Sequence, residues 1–391
     1  MLKSEEFQNH LVQDLIPFWN CLKDVDHGGF YGFVDQNQQI DHHSDKGVIL
    51  MSRILWFYSK ASILCKDASL LKMADHVYEF LVEHCQDHRY GGMYWSVHYD
   101  GTPADTTKHT YNQAFTVYAL SVYYQAGGRQ DALDQAYALF HLIEEKCRDQ
   151  DGYLEAFHQD FTPASNEKLS ENGVMAGRTM NTLLHVLEAY TELYRGDGSQ
   201  EVGNKLRCIL ELFQKKMYNP DKQILEVFFD IDYHSLIDLE SYGHDIEASW
   251  LIDRGCQVLG DENCSQAMAA ISKALALATY QNAYDTVEHA LYNEREGEQI
   301  DRQKIWWVQA EAVVGFYNAY QKTPERTEYL QAAEGIWHYI REYMIDEQSG
   351  EWYESIQADG TRKQGQALVH SWKCPYHNGR MCMEMMERLA G

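Results

Sequence analysis

The chain has 391 residues, 45% of them hydrophobic and 13% aromatic, which is apolar mass enough for one large core or two ordinary ones. Its 33 basic against 59 acidic side chains leave a net charge of −26. That charge repels nucleic-acid backbones and anionic lipid surfaces, and it suits a neutral small-molecule substrate better than an acidic one.

In chain order, the opening MLKSEEFQNH has no basic stretch leading into an apolar one, so no signal peptide is expected. No run of about 18 apolar residues is evident, so no membrane span is expected either. The nine cysteines form no CxxC pair and are read as reduced thiols of a cytoplasmic protein. Helical periodicity then runs through 46–61, 109–125, 179–194, 245–259, 306–321 and 327–344. Short glycine–aromatic segments punctuate it: GGFYGF at 28–33, GGMYWSV at 91–97, DGYLEAF at 151–157 and SGEWYES at 349–355. Gly28 to Gly91 is 63 residues, Gly91 to Gly152 is 61, and Gly152 to Gly350 is 198, three further steps. The two missing marks fall near LEVFFD (225–230) and near Ala283-Tyr284.

A period of roughly 65 residues gives six units of two helices each, a repeat architecture. GVILMSRILWFY, YNQAFTVYALSVYY and QAEAVVGFYNAY are the more apolar helices, taken as the second of each pair, and are expected to form an inner ring. The fold expected is all-α, an (α/α)6 barrel of six helical hairpins with short Gly/aromatic turns between pairs, forming a single catalytic domain over 1–391.

Polar residues on these apolar helices are informative, because a buried polar group is costly unless it is paired. Each repeat supplies some: Arg53; Tyr111 and Asn112; Asn181 and His185; His244 and Glu247; Trp307 and Glu311; Trp372 and His377. In a ring, equivalent positions converge on the axis and become one pocket. Asn181 and His185 are four apart, as are Trp307 and Glu311, so each pair shares a helical face. His244 and Glu247 are three apart, a spacing that predicts an imidazole–carboxylate bond raising His244 basicity. Of the adjacent Trp306 and Trp307, one is expected to face the cavity.

An imidazole takes and gives a proton near neutral pH. Two of them facing one substrate suit proton abstraction next to a carbonyl, as at C2 of an open-chain aldose. Arg53, Tyr111, Asn181 and His185 are available to hold the enediolate oxygens, and tryptophans offer flat faces to sugar rings. A zinc site from His185, His244, Glu247 and His377 lacks the HExxH arrangement and any cysteine ligand. No phosphate-binding or serine-hydrolase motif is present. No metal and no cofactor are therefore expected.

The segments KGVILMSRILWFY, DTTKHTYNQAF, RTMNTLLHVLEAY, SYGHDIEASWL, IWWVQAEAVVGFYNAYQ and WKCPYHNGRMCME resemble the N-acylglucosamine 2-epimerase superfamily, and within it the bacterial cellobiose 2-epimerases. The resemblance runs from IPFWN (16–20) to Glu384. It implies a cofactor-free (α/α)6 barrel that inverts C2 of the reducing-end sugar in β-1,4-linked disaccharides, converting cellobiose to glucosyl-mannose and lactose to epilactose. It implies that His244 and His377 are the acid/base pair and that His185 assists at the carbonyl oxygen. Arg53, Tyr111 and Asn181 would be hydroxyl ligands. Glu247 and Glu311 would be steering or hydroxyl-binding carboxylates, and Trp307 and Trp372 stacking walls. The segment ENGVMAGRT before Asn181 departs from the family pattern, which leaves the preferred disaccharide open.

The partner expected is a small disaccharide, with no nucleic acid and no membrane, and the protein a monomer. A monosaccharide 2-epimerase or aldose–ketose isomerase on the same barrel is the first alternative. A glycoside hydrolase using Glu247 and Glu311 as its carboxylate pair is the second, and a non-catalytic sugar binder the third.

Overall fold

The computed structural model describes residues 2–390. The chain opens with α1 (Ser4–His10), which continues through a π-helical stretch, Leu11–Leu15, into α2 (Ile16–Asn20). There follow α3 (Val48–Cys65), α4 (Ala68–Phe80), α5 (Thr110–Gly127), α6 (Gln130–Lys146), α7 (Met180–Asp197) and α8 (Gln200–Leu212). The second half adds α9 (Tyr242–Leu259), α10 (Glu262–Ala283), α11 (Trp306–Lys322), α12 (Thr327–Tyr339) and α13 (His377–Ala390). Helices α3, α5, α7, α9, α11 and α13 pack side by side, and α13 returns to α3. The remaining helices cover this ring from outside, so the architecture is the expected (α/α)6 barrel.

Apolarity sorts the two layers. Every residue of α3 from Val48 to Ser59 is buried, which only an inner helix can satisfy. Outer α8 buries a single stripe, Val202, Leu206, Ile209 and Leu210. α3 is also long and apolar enough to cross a bilayer, with a mean hydropathy of 1.4 over 18 residues, a stretch the sequence reading passed over; 78% of it is buried within the barrel. All nine cysteines are free.

Tight turns join each inner helix to the outer helix that follows it. The residue after α7 is Gly198 at φ 70° and the one after α9 is Gly260 at φ 67°. Glycine reaches this left-handed helix stop without a side-chain clash. The apolar helix therefore leads its tight hairpin, whereas the sequence reading placed it second.

The longer connections carry the glycine–aromatic segments and build the mouth of the barrel. Each inner helix from α3 to α11 is preceded by a strand of two or three residues that pairs with the next connection around the ring. Lys46–Gly47 pairs with Ser96–Val97, Lys108–His109 with Ala156–Phe157, and Arg178–Thr179 with Phe228–Phe229. Leu239–Ser241 pairs with Glu294–Glu296, Lys304–Ile305 with Ser355–Ile356, and the Val34–Val369 bridge closes the circle. Buried ion pairs anchor several of these joints, including Lys46–Asp24 at 2.7 Å, Lys108–Asp87 at 3.0 Å and Lys373–Glu351 at 3.0 Å. The N-termini of the inner helices are thereby gathered around one opening.

One joint is tuned by a buried carboxylate. Glu155 accepts from the Thr179 backbone N–H and the Thr182 hydroxyl, both at 2.6 Å, and so holds the start of α7. Burial raises Glu155 to about 7, against the pull of those donors. A carboxyl that binds its proton more tightly folded than unfolded contributes most below pH 4.5, and that contribution fades as pH rises to 7. Glu155→Gln is expected to abolish this share, about 3 kcal/mol. Chemical denaturation at pH 5 and pH 8 checks it: the wild type should lose more stability than the variant across that interval.

Candidate active site

At the mouth lies a cavity of about 420 Å³. Arg53 from α3, Tyr111 from α5, Asn181 and His185 from α7, His244 and Glu247 from α9, Trp307 from α11, and His377 from α13 all line it, with Trp372 from the last connection. Nine of the ten residues expected from sequence thus share one cavity. The tenth, Glu311, lies just behind His377. Asn112 turns away, its amide donating to the Tyr94 carbonyl at 2.6 Å.

The wall on the α3–α5 side is aromatic and cationic. Arg53 donates to the Tyr111 hydroxyl at 2.9 Å and to the Trp372 carbonyl at 3.3 Å, and its guanidinium lies 4.3 Å from the Phe115 ring centre. Tyr111 meets His185 edge-on at 5.0 Å. Elsewhere in the wall the Trp307 indole contacts two imidazoles, 4.8 Å from His244 and 5.6 Å from His377. Gly243 makes this contact possible, since a Cβ there would come 2.5 Å from the indole.

Each imidazole is held from behind through Nδ1. His185 bonds Glu188 Oε2 at 3.0 Å, His377 bonds Glu311 Oε1 at 2.7 Å, and His244 bonds the Ser241 hydroxyl at 2.8 Å. Among the described residues no protein group takes Nε2 of any of the three rings, which leaves those atoms to the cavity. The predicted bond from Glu247 to His244 is absent. Glu247 instead pairs with Arg380, and burial drives His244 down to about 4, opposed by the Glu247 charge. Burial, reinforced by the charges of Arg380 and Arg53, also pushes His377 well below its usual value.

Beneath the cavity floor one guanidinium serves three carboxylates. Arg380 reaches Glu188 at 2.5 Å, Glu311 at 2.7 Å, and Glu247. Burial would raise Glu188, but Arg380 and His185 outweigh it and hold the carboxyl at about 2. Burial lifts Glu311 to about 8 against the pull of Arg380.

Residues 28–378 match the model of the N-acylglucosamine 2-epimerase (GlcNAc 2-epimerase) family. This chain belongs to that family. It is 48% identical to the cellobiose 2-epimerase of Eubacterium cellulosolvens, across 99% of this chain and 98% of that one. The solved structure of a sugar epimerase from a ruminal bacterium superposes with a TM-score of 0.97 at 47% identity, covering 99% of both chains. The structure of cellobiose 2-epimerase from Bacillus thermoamylovorans B4167 gives 0.94 at 44% identity, over 98% of this chain and 99% of the other.

In this member of the epimerase family, Glu247, Glu311 and His377 bring potential metal-ligand atoms within 4.8 Å of one another. A fixed cation already occupies that cluster, since Arg380 bonds both carboxylates and His377 spends Nδ1 on Glu311. The donor set does not fit a metal centre.

Several functional positions escaped the sequence reading. Glu188 stands three residues after His185, the same spacing that drew attention to His244 and Glu247, and that signal went unused. Arg380 stands three after His377, inside the quoted PYHNGR segment. Ser241, Glu354 and His370 also line the cavity, as do Lys168, Glu171 and Glu294 at the rim, and Trp306 lines it together with Trp307, where only one of the two was expected. Asn172 of the departing ENGVMAGRT segment donates to Glu296 at 2.9 Å, which ties that segment to the strand hairpin across the mouth.

Proposed function

We propose that this chain is a cellobiose 2-epimerase, reversibly inverting C2 of the reducing-end glucose of β-1,4-linked disaccharides: cellobiose to glucosyl-mannose, lactose to epilactose. The observation that carries the reading is the pair of imidazoles, His244 and His377, lining one cavity and both in contact with Trp307. Each ring has Nδ1 engaged from behind, which orients Nε2.

The reducing-end ring opens with His185 assisting at the carbonyl oxygen. One histidine removes the C2 proton, giving a cis-enediolate whose oxygens are held by Arg53, Tyr111, Asn181 and His185. The other histidine returns a proton to the opposite face, and C2 is inverted. His377 and Glu311 act as one unit. With a single proton between them Nε2 is bare and accepts; with two it donates. Glu247 reaches a sugar hydroxyl. The second sugar lies towards Trp372, whose indole stands 5.7 Å from Tyr111 and 5.9 Å from Trp95. A cavity of about 420 Å³ falls within the range of small-molecule sites. The enzyme works as a monomer and a single domain, and its unpaired thiols suit the cytoplasm.

Incubation with cellobiose in D2O, without added metal or cofactor, tests the reading by proton NMR. Glucosyl-mannose deuterated at C2 is the expected product. Released glucose would mean a hydrolase, and turnover of mannose or N-acetylmannosamine in preference to cellobiose would mean a monosaccharide enzyme.

A further inference from the structure

Ser241 occupies the N-cap of α9, where a serine oxygen ordinarily accepts a backbone N–H of the first helical turn. It makes no such bond. Thr179, the N-cap of α7, does cap, accepting from the Thr182 N–H at 3.1 Å. The Ser241 hydroxyl is spent instead on His244 Nδ1, at 2.8 Å. Among the described residues it forms no other side-chain hydrogen bond; it lines the cavity and is only 6% exposed. The strand Leu239–Ser241 is fixed by its pairing with Glu294–Glu296, so the hydroxyl is presented from a rigid edge.

We infer that Ser241 is a positioning residue whose oxygen accepts from His244 Nδ1–H and keeps Nε2 bare towards the substrate. The inference rests on the reading that His244 moves a proton at C2. A neutral imidazole carries one hydrogen, and without an acceptor at Nδ1 that hydrogen favours Nε2. There it would block the lone pair that must take the C2 proton. At His185 and His377 a carboxylate performs this service. At His244 a hydroxyl does so, and its own proton remains free to point into the cavity.

Ser241→Ala tests it. Nitrogen-15 NMR of His244, assigned by its disappearance in His244→Gln, should report the Nδ1–H tautomer in the wild type and a shift towards Nε2–H in the alanine variant. Turnover should fall roughly 10²-fold, the low end for an acid–base group, with KM within about twofold and an unchanged melting temperature. Ser241→Thr, which keeps the acceptor, should restore turnover to within about threefold of wild type. An Nε2–H tautomer in the wild type, or wild-type turnover in Ser241→Ala, would overturn the inference. A wild type that never labels C2 would sink the proposed activity instead, while the tautomer stays readable.

Discussion

Asparagine in place of His377 is expected to lower cellobiose turnover by about 10²–10⁴-fold, the range for loss of a general acid–base group. Arg53, Asn181, Trp307 and Trp372 of the cavity wall, the proposed substrate contacts, are untouched, so KM should stay within a few fold. The sharper consequence is stereochemical. With one histidine per face of C2, the variant keeps the other, His244. It should still exchange the C2 hydron of one epimer with solvent while failing to exchange that of its partner. Proton NMR of cellobiose and glucosyl-mannose, each incubated separately in D2O, distinguishes the cases. Equal loss for both sugars would mean that a single group serves both faces.

Methionine in place of Arg380 should have the largest effect on the fold. The guanidinium is the shared cation of Glu188, Glu247 and Glu311, each no more than 4% exposed. Removing one partner of a buried ion network leaves uncompensated charge, at a cost of about 3–5 kcal/mol. In a chain of this size that corresponds to roughly 4–6 °C in melting temperature. The sign of the pH dependence follows from the same network. Arg380 opposes the rise that burial imposes on Glu188 and Glu311. Without it the folded value of Glu188 climbs above the unfolded one and that of Glu311, already raised, climbs further, so the variant is weakest at high pH and recovers as pH falls and the carboxyls take up protons. Turnover should fall with it, because Glu188 and Glu311 are the groups behind His185 and His377. Arg380→Lys, which keeps the charge but not the fork, should melt between the two. Wild-type melting of Arg380→Met at pH 8 would show that the three carboxylates are neutralised by other means.

The barrel was legible because inner helices are apolar on all sides, and their polar exceptions recur at the repeat spacing. Such exceptions named nine residues of the cavity from sequence alone. Behind the cavity less was legible, because the contacts there are long-range. Nothing local to Glu188 announces an arginine 192 residues away. His244 shows how a local rule is outvoted. Its spacing to Glu247 favours a bond, but Ser241 stands closer to Nδ1 and Arg380 draws the carboxylate away. The strand joints at the mouth are two or three residues long, too short for a two-residue periodicity to register.

The ring closes only when α13 settles between α11 and α3, and α13 also brings both His377 and Arg380. A growing polypeptide commits its earlier helices first. Until the last turns emerge, three acidic side chains from α7, α9 and α11 must wait in a half-built interior with no counter-ion. Completion of the scaffold and arrival of the proposed acid–base group are thus one event, and a chain cut short of α13 is expected to be both open and inert.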